Sequence, residues 1–275
     1  MYQALYRKWR PQTFADVIGQ QHVTDTLRAQ LQSGRLSHAY LFTGTRGTGK
    51  TTCAKILARA VNCEHPVNGD PCNECAACRG ILDGSVLDVT EIDAASNNGV
   101  DNIRDLRDET RYTPAQVRKR VFIIDEVHML SIGAFNALLK TLEEPPEHVL
   151  FILATTELHK VPATILSRCQ RFDFRRIGAE DISRRLLDVA AGEGIALTEG
   201  AARLIARLAD GAMRDALSML DRAAAAGAVD EKTVTAALGV MGQDDGIRLA
   251  EHLKTGDLAA AVGLLDEYYN AGRDL

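Results

Sequence analysis

Residues 44–51 read GTRGTGKT and match the phosphate-binding pattern G-x-x-x-x-G-K-[ST]. An apolar segment precedes them at residues 38–44, and a helical pattern follows at residues 49–62. In that context the glycines let backbone N–H groups wrap around phosphate oxygens, and the helix N-terminus adds partial positive charge. We therefore predict a nucleotide site in which Lys50 reaches the β- and γ-phosphates and Thr51 ligates Mg²⁺. The loop residues predicted to contact the nucleotide are Gly44, Thr45, Gly47, Thr48, Gly49, Lys50, Thr51 and Thr52.

Strand and helix patterns alternate along the first part of the chain. Apolar runs typical of buried strands are found at residues 38–44, 86–93, 120–127, 148–156 and 169–174. Helical patterns are found at residues 21–34, 49–62, 99–111 and 134–144. The run RVFIIDEV at residues 120–127 lacks polar alternation, as a strand covered on both faces does. The alternation predicts an α/β fold, a doubly wound parallel sheet with helices on both faces.

The remainder of the chain follows a different pattern. From residue 178 onward only helical patterns are found, with Ala- and Leu-rich amphipathic spacing broken at glycines. We predict an α/β domain at residues 1–177, a small all-α domain of about three helices at residues 178–240, and the beginning of a third, helical domain at residues 241–275.

The composition argues against several classes of protein. The chain has 275 residues, is 46% hydrophobic and 25% charged, and carries a net charge of −5. The negative charge argues against a basic nucleic-acid binder, so a contact with DNA requires a local patch or helix N-termini. No apolar run reaches the length of about eighteen residues that a membrane helix needs, and the first residues lack the apolar core of a signal peptide. We therefore expect no membrane contact and a cytoplasmic location, where thiols stay reduced.

An acidic pair ends the buried strand pattern at residues 120–127. Four apolar residues put Asp125 at the carboxyl end of that strand, where open α/β sheets bind their ligands. Asp125 is predicted to hold Mg²⁺, and Glu126 to orient and polarise an attacking water, which favours hydrolysis over nucleotide storage. Thr155 and Thr156 end the next strand. One of the two is predicted to position the water or to sense the γ-phosphate, and the sequence does not distinguish them.

Four of the six cysteines lie within residues 63–78, CEHPVNGDPCNECAAC. Two C-x₂-C steps and a fourth thiol suit one tetrahedral Zn²⁺ with no open position, in a short insert that folds around the metal. The predicted ligands are Cys63, Cys72, Cys75 and Cys78. His65 could substitute for one of them. The alternatives are a site without metal and an iron–sulfur cluster, whose cysteine run continues into a C-P step that this chain lacks. Cys53 and Cys169 are predicted to be plain buried residues.

Two arginines carry little information on their own. Arg168 follows a short helical pattern that begins near Pro162. Arg214 lies near the start of a helix, where its charge opposes the helix dipole and a phosphate would be a fitting partner. Either could be an ordinary solvated arginine.

Six segments, in their order and spacing, resemble the gamma/tau subunits of bacterial DNA polymerase III clamp loaders. They are ALYRKWRPQTFADVIGQ at 4–20, AYLFTGTRGTGKTT at 39–52, DEVHML at 125–130, AFNALLKTLEEPP at 134–146, SRCQRF at 167–172 and RDALS at 214–218. The most specific parts are NALLKTLEEPP and the triplet Ser167-Arg168-Cys169, since the phosphate-binding loop alone occurs in many other ATPases. The resemblance covers essentially the whole chain.

The resemblance implies an AAA+ module with assigned parts. Residues 1–177 would form the ATPase domain with a zinc knuckle inserted at 63–78, residues 178–240 the helical lid, and residues 241–275 the beginning of the collar domain. Arg168 matches a finger offered in trans to the neighbouring subunit, and Arg214 matches a lid arginine that senses nucleotide in cis. The segment that matches the adenine pocket contains Arg10, Pro11, Val17 and Ile18.

The resemblance also implies a function and partners. The expected activity is ATP hydrolysis that opens a sliding clamp and loads it onto primed DNA, with other clamp-loader subunits and copies of this chain as further partners. DNA contacts would be to phosphates, and the helix N-termini near Asn98-Gly99 and Thr164 are the candidates for them. The rival hypotheses are a non-hydrolysing scaffold, which intact Lys50, Glu126 and Arg168 disfavour, and another AAA+ motor such as a helicase or remodeller. The triplet at 167–169 and the cysteine insert disfavour the second rival.

Overall fold

The structure is a computed structural model that describes residues 3–225, 227–240 and 243–270. These residues form two compact units. The α/β unit comprises Arg10–Ile177, and the helical unit combines the described residues up to Trp9 with those from Gly178 onward.

Five parallel strands form the sheet of the α/β unit, in the order β2-β3-β4-β1-β5. They are β1 (Ala39–Thr43), β2 (Val89–Asp93), β3 (Arg120–Asp125), β4 (Val149–Thr155) and β5 (Gln170–Asp173). Each strand lies inside one of the five segments predicted from the sequence. The predicted fold class, an α/β fold built on a parallel sheet, is therefore confirmed.

The helices of the α/β unit are numbered along the chain. They are α2 (Gln21–Ser33), α3 (Lys50–Asn62), α4 (Ala76–Asp83), α5 (Val100–Glu109), α6 (Ile132–Glu143) and α7 (Ala163–Leu166). The sequence predicts all of them except α4, which lies partly inside the cysteine insert. Its N-cap is Cys75, whose sulfur accepts a hydrogen bond from the N–H of Cys78, so the cysteines start this helix as well as forming a cluster.

Alternate residues of each strand point to opposite faces of the sheet, and both faces are covered. On β1, Tyr40 and Phe42 belong to an apolar cluster with residues of α2 and α3. Leu41, between them, belongs to a second cluster with residues of α5 and α6. The strands are thus apolar on both sides because each side meets a helical layer. This doubly wound arrangement brings the carboxyl ends of β1, β3 and β4 to one edge of the sheet.

The helical unit contains one short N-terminal helix and six longer ones. They are α1 (Leu5–Lys8), α8 (Ala179–Glu193), α9 (Glu199–Leu208), α10 (Met213–Ala224), α11 (Glu231–Leu238), α12 (Gln243–Thr255) and α13 (Leu258–Asn270). Residues 178–240 thus hold four helices, where the sequence predicts about three. The shortest of the four is α11, which begins at Glu231 after the N-cap Asp230, whose carboxylate accepts a hydrogen bond from the N–H of Thr233 at 2.8 Å.

The third predicted domain, at residues 241–275, corresponds to α12 and α13, which belong to the helical unit. Residues 241, 242 and 271–275 lie outside the described part of the chain, and the division of this region into lid and collar stays a prediction. Across residues 3–225, 227–240 and 243–270, no helix has the length and apolar surface of a membrane span.

The start of the chain belongs to the helical unit, whereas the sequence assigns it to the α/β domain. The indole N–H of Trp9 donates to Glu193 Oε1 at 2.6 Å, and the backbone N–H of Leu5 donates to Asp221 Oδ2 at 3.3 Å. Both acceptors, on helices α8 and α10, lie more than 180 residues away along the chain. No periodic pattern encodes contacts of that separation, so the boundary at Trp9 could not be read from the sequence.

Candidate active site and cysteine cluster

The loop after β1 has a backbone that requires glycine. Gly44 has φ +146°, and a Cβ atom there would lie 2.3 Å from the carbonyl oxygen of Phe174. Thr48 Oγ1 donates to the carbonyl oxygen of Thr45 at 2.8 Å and closes the loop. The N-cap of α3 is Gly49, which has no side chain to satisfy the first N–H groups of the helix. These N–H groups are therefore available for an anion, as predicted for phosphates.

Lys50 lies inside the loop rather than on its surface. Its side chain is buried, and Nζ donates to the carbonyl oxygens of Gly44 at 2.8 Å and Thr45 at 2.9 Å. Burial lowers the pKa of the Lys50 ammonium, and the charges of Glu126 and Asp125 oppose that shift. A cation held in this position, with carbonyl partners only, is well placed to exchange them for phosphate oxygens.

Thr51 and Asp125 come together from two strands that are not neighbours. Thr51 follows the loop after β1, Asp125 ends β3, and β4 lies between these strands. The Thr51 hydroxyl nevertheless donates to Asp125 Oδ2 at 2.6 Å, while Asp125 Oδ1 accepts from the N–H of Glu126 at 2.9 Å. A hydroxyl and a carboxylate in contact at a phosphate loop form a donor set that suits Mg²⁺.

Glu126 has an unusual backbone and a defined side-chain position. Its φ is +48°, a left-handed conformation that is uncommon for a residue other than glycine. Its Oε2 accepts hydrogen bonds from the Thr156 N–H at 3.3 Å and the Thr156 hydroxyl at 3.0 Å. The turn thus directs the carboxylate toward the end of β4, beside the Asp125 that precedes it.

The two threonines at the end of β4 have different surroundings. Thr156 contacts Glu126, whereas the Thr155 hydroxyl is fully buried and lies 3.0 Å from Nδ1 of His128. Nδ1 of His128 also lies 3.4 Å from Glu126 Oε2, and its Nε2 lies 3.2 Å from Glu157 Oε1. The structure therefore brings Thr156, rather than Thr155, to the carboxylate predicted to activate water.

His128 is a member of this site that sequence reasoning missed. It lies three residues after Asp125, in the motif DEVH, and its side chain is 6% exposed. Its position in the motif was a signal, but the contacts to Thr155 and Glu157 come from a different strand end and are not encoded locally.

The segment that matches the adenine pocket lies beside the phosphate-binding loop. Arg10, Pro11 and Ile18 are half-buried, and Val17 is 7% exposed. A Cβ atom built on Gly49 would lie 3.9 Å from Cγ1 of Val17, so the segment passes within van der Waals reach of the loop. This position is compatible with contact to a base attached to phosphates in the loop.

The two predicted arginines contact residues other than those described above. Arg168 follows α7, and its guanidinium pairs with Glu143 Oε1 at 2.7 Å and donates to the carbonyl oxygen of Thr164 at 2.8 Å. Arg214, on α10 of the helical unit, is exposed, and its guanidinium carbon lies 4.9 Å from the centre of the Tyr6 ring. These contacts do not assign either arginine to a phosphate. The role of Arg168 in trans and that of Arg214 in cis stay predictions.

The predicted DNA contacts also stay predictions. Gly99 is the N-cap of α5, and the carbonyl oxygen of Asn98 accepts a hydrogen bond from the N–H of Ser131 at 3.1 Å. Thr164 lies in α7, which has only four residues and Pro162 as its N-cap. A helix of one turn offers a weak dipole, so the site near Gly99 is the better of the two candidates.

The four clustered cysteines meet at one point. Their sulfur atoms, of Cys63, Cys72, Cys75 and Cys78, all lie within 4.8 Å of one another. Tetrahedral Zn–S bonds of about 2.3 Å would place sulfurs about 3.8 Å apart, so a small contraction of the cluster would complete a closed zinc site. A four-iron cluster would need the sulfurs farther apart, because iron and sulfide atoms lie between them. The residues present therefore fit zinc.

The backbone supports the cluster as a ligand set. The N–H groups of Cys72, Cys75 and Cys78 donate to sulfurs of the preceding cysteines at 3.3, 3.3 and 3.4 Å. The N–H of Glu74 lowers the pKa of Cys72 to about 6, whereas burial raises the pKa of Cys63 and of Cys78. A divalent cation would offset that burial penalty by binding the thiolates.

The two other cysteines differ from each other. Cys53 is fully buried, as predicted, and burial raises the pKa of its thiol. Cys169 is half-buried rather than buried, so the prediction is wrong for that residue. It packs against the apolar cluster on the α5 and α6 face of the sheet, shortly after the end of the short helix α7.

Family profiles match both units of the chain. The profile described as "DNA polymerase III, delta subunit" matches residues 19–178. The profile described as "DNA polymerase III clamp loader subunit, ATPase lid domain" matches residues 181–229. Together the two profiles cover the α/β unit from residue 19 onward and most of helices α8, α9 and α10 of the helical unit.

Curated relatives match at high identity. The chain is 56% identical over 275 residues to the DNA polymerase III subunit tau of Bacillus subtilis, and 49% identical over 268 residues to that of Escherichia coli. These alignments cover 99% and 97% of this chain but 49% and 42% of those proteins, so the chain spans half of their length or less. It is also 44% identical to the DNA polymerase III subunit gamma of Buchnera aphidicola, and there it covers 76% of the relative.

Solved structures match in fold. The RuvB Holliday junction branch migration motor of Thermotoga maritima aligns with a TM-score of 0.64 at 18% identity, over 93% of this chain and 85% of that one. At that identity the likeness concerns the fold alone, and it agrees with a P-loop sheet followed by helices. The resemblance predicted from the six segments is thus confirmed by profiles and by relatives over nearly the whole chain. The chain belongs to the gamma/tau family of DNA polymerase III clamp-loader subunits.

Proposed function

We propose that this chain is an ATPase subunit of the replicative clamp loader. It would couple ATP binding and hydrolysis to the opening of a ring-shaped sliding clamp and its loading onto primed DNA. The observation that supports this most strongly is the contact of Thr51 with Asp125, beside the buried Lys50 and the carboxylate of Glu126. These four residues supply the charge, the metal ligands and the base that hydrolysis of a nucleoside triphosphate requires.

Each residue at the carboxyl edge of the sheet has a distinct role in this proposal. The N–H groups of the loop and the ammonium of Lys50 bind the phosphates. Thr51 and Asp125 would hold Mg²⁺, which supplies charge neutralisation at the β- and γ-phosphates. Arg10, Pro11, Val17 and Ile18 would contact the adenine, and Arg214 of the lid would sense the nucleotide in cis.

Glu126 would act as the base of the reaction. Its carboxylate orients the attacking water and accepts a proton from it at an Oε atom. Thr156 holds that carboxylate through its N–H and hydroxyl, so we assign to Thr156 the positioning role that the sequence leaves open between two threonines. Thr155 would instead fix His128 under the same site.

The partners follow from the proposed reaction. We propose assembly with other clamp-loader subunits, including copies of this chain, because Arg168 would act on the nucleotide of a neighbour. The loader would bind the clamp and contact primed DNA through phosphates without reading sequence. Work on a bacterial replication fork would place the protein in the cytoplasm.

One experiment separates the three candidate functions. ATPase activity of the chain is measured with partner subunits, with and without the sliding clamp and primed DNA. A clamp loader is stimulated by both, a scaffold hydrolyses nothing, and a helicase or remodeller is insensitive to the clamp. Activity that is independent of the clamp would contradict the proposal.

Lys50→Ala is expected to abolish tight ATP binding. The variant removes the only buried ammonium among the described loop residues, and a hydrogen bond to a charged group contributes about 1.5–3 kcal/mol, or roughly a tenfold to hundredfold loss of affinity. Isothermal titration calorimetry with a non-hydrolysable ATP analogue measures this loss of affinity. Lys55→Ala, on the same helix and paired with Glu91, is the control and should bind normally. Equal affinity of the two variants would exclude Lys50 as the phosphate ligand.

We propose that the cysteine cluster binds one Zn²⁺ as a structural ion. Elemental analysis of the purified, colourless chain should give about one zinc per monomer and little iron. Cys75→Ser should lose the zinc and lower the melting temperature because one of the four ligands is removed, whereas the serine hydroxyl can still cap α4. It should still bind inorganic tripolyphosphate. Cys169→Ser, outside the cluster, should retain the metal. A brown protein with visible absorption would show that the zinc assignment is wrong.

A further inference from the structure

The cysteine insert, residues 63–78, is joined by side chains to the segment that follows Arg10 and Pro11. Asp70 Oδ1 accepts a hydrogen bond from the backbone N–H of Phe14 at 2.5 Å, and its Oδ2 pairs with Arg28 on α2 at 2.6 Å. The amide of Asn73 donates to the carbonyl oxygen of Gln12 at 3.2 Å. Two residues of the insert thus hold the backbone of residues 12–14 directly.

Arg59 adds a third connection, from the phosphate-loop helix α3. Its side chain is 4% exposed. Nη2 donates to the carbonyl oxygen of Gln12 at 2.9 Å and to Gln12 Oε1 at 3.1 Å, and Nε donates to Asn73 Oδ1 at 3.1 Å. One buried guanidinium therefore binds the segment at 12–14 and the insert at the same time, from the helix that begins at Lys50.

The charge of Arg59 connects it with the proposed zinc site. Among the ion pairs of the described residues, none joins Arg59 to a carboxylate, and the oxygens that accept its hydrogen bonds belong to the neutral residues Gln12 and Asn73. A buried cation normally needs an anionic partner. Four thiolates around one divalent cation carry a net negative charge, and Asn73, whose Oδ1 accepts from Arg59, lies between Cys72 and Cys75 along the chain. The zinc site would thus supply the missing counter-charge.

The held segment continues into the wall of the nucleotide site. Phe14 is 1% exposed and belongs to the same apolar cluster as Val17 and Cys53 of α3. Val17 in turn lies next to Gly49 of the phosphate-binding loop. Residues 12–14 are therefore flanked by Arg10 and Pro11 on one side and by Val17 on the other, which are the residues proposed to contact the adenine. A shift at residues 12–14 would displace both.

We propose that the cysteine insert, acting through Asp70, Asn73 and Arg59, positions residues 10–18 against the base of the bound nucleotide. Loss of these contacts would weaken recognition of the base and leave phosphate binding intact, because the phosphates are held by the loop at 44–51. The inference rests on the proposed nucleotide site at Lys50. It gives the insert a role in nucleotide binding beyond its own stability, and it makes Asp70 and Asn73 positioning residues.

The test uses the whole chain and two ligands that differ in the base. Affinities for Mg-ATP and for Mg-tripolyphosphate, which has no base, are measured by calorimetry. Asn73 has φ +60°, so Asn73→Gly removes the side chain without straining the backbone. Asn68, an exposed asparagine of the insert with φ +52°, lies outside this set of contacts, and Asn68→Gly is the matched control.

Asn73→Gly should bind ATP about three- to tenfold more weakly than Asn68→Gly, since the two hydrogen bonds of its amide are lost. Tripolyphosphate affinity should be equal in both. Asp70→Asn, which keeps the shape of the side chain but not its charge, should show the same selective loss. Removal of zinc by a chelator should weaken ATP more than tripolyphosphate.

Two results would overturn the inference. One is equal ATP affinity of Asn73→Gly, Asp70→Asn and Asn68→Gly. The other is an equal loss for ATP and tripolyphosphate, which would mean general damage to the fold rather than misplacement of residues 10–18. A wild-type chain that binds neither ligand would overturn the proposed nucleotide site itself, so the two failures are distinguishable.

Discussion

Glu126→Gln is expected to bind ATP with normal affinity and to hydrolyse it about 10²–10⁴ times more slowly in the assembled loader. The amide has the size of the carboxylate, and its oxygen can still accept the hydrogen bonds that Thr156 donates at 3.3 and 3.0 Å. What is lost is the negative charge that takes a proton from water. Lys50, Thr51 and Asp125 keep their contacts, so the variant should trap ATP rather than fail to bind it.

Single-turnover hydrolysis and nucleotide affinity measure the two parts of this prediction separately. Glu91→Gln is the matched control. Glu91 lies on β2 of the same sheet, and its carboxylate pairs with Lys55 of α3. The control should hydrolyse ATP at the wild-type rate. A normal rate for Glu126→Gln would mean that another group activates the water. His128, beside Thr155, would then be the next candidate.

Much of the α/β unit could be predicted because its signals are local. A strand covered on both faces is apolar at every position, so β3 and β4 are visible as short runs. The phosphate-binding loop is fixed by glycines at positions where the backbone excludes a Cβ, as at Gly44. These signals also gave Lys50 and Asp125, because a loop after one strand and an acid at the end of another must meet at the carboxyl edge of a parallel sheet.

The parts that could not be predicted depend on contacts between distant residues. Arg59 reads as an ordinary residue of an amphipathic helix, yet it binds Gln12 and Asn73 across the fold. Thr155 and Thr156 are identical in sequence terms, and only the positions of His128 and Glu126 give them different partners. Pattern and motif describe one element at a time, whereas these roles arise where several elements meet.

Arg168→Ala is expected to leave ATP affinity of the isolated chain unchanged and to reduce DNA-stimulated hydrolysis of the assembled loader by roughly 10³–10⁵. The sheet supplies the reason. Gln170 at the start of β5 pairs in register with Tyr40 near the start of β1, so Arg168 lies at the amino edge of the sheet. Lys50 follows the carboxyl end of β1. At about 3.3 Å per residue, the length of β1 separates them, and Arg168 cannot serve the nucleotide of its own chain.

The present partner of Arg168 does not prevent a role in trans. Its ion pair with Glu143 joins side chains that are 32% and 44% exposed, and an exposed pair of this kind contributes about 0–1 kcal/mol. A γ-phosphate of a neighbouring subunit, with charge developing in the transition state, is a much stronger partner for a planar guanidinium. Arg171 lies three residues after Arg168 and pairs with Asp173, so Arg171→Ala is the control and should retain activity.

Mixing variants tests whether the arginine acts across the interface. A loader assembled with only Arg168→Ala chains, and one assembled with only Lys50→Ala chains, are each expected to lack DNA-stimulated hydrolysis. When they are mixed with the partner subunits, an intact Arg168 of one chain should face an intact Lys50 of the other at some interfaces, and turnover should partly return. If Arg168→Ala slowed hydrolysis by an isolated chain, Arg168 would be acting in cis, because an isolated chain has no neighbour to receive the arginine. The topological argument from β1 and β5 would then fail.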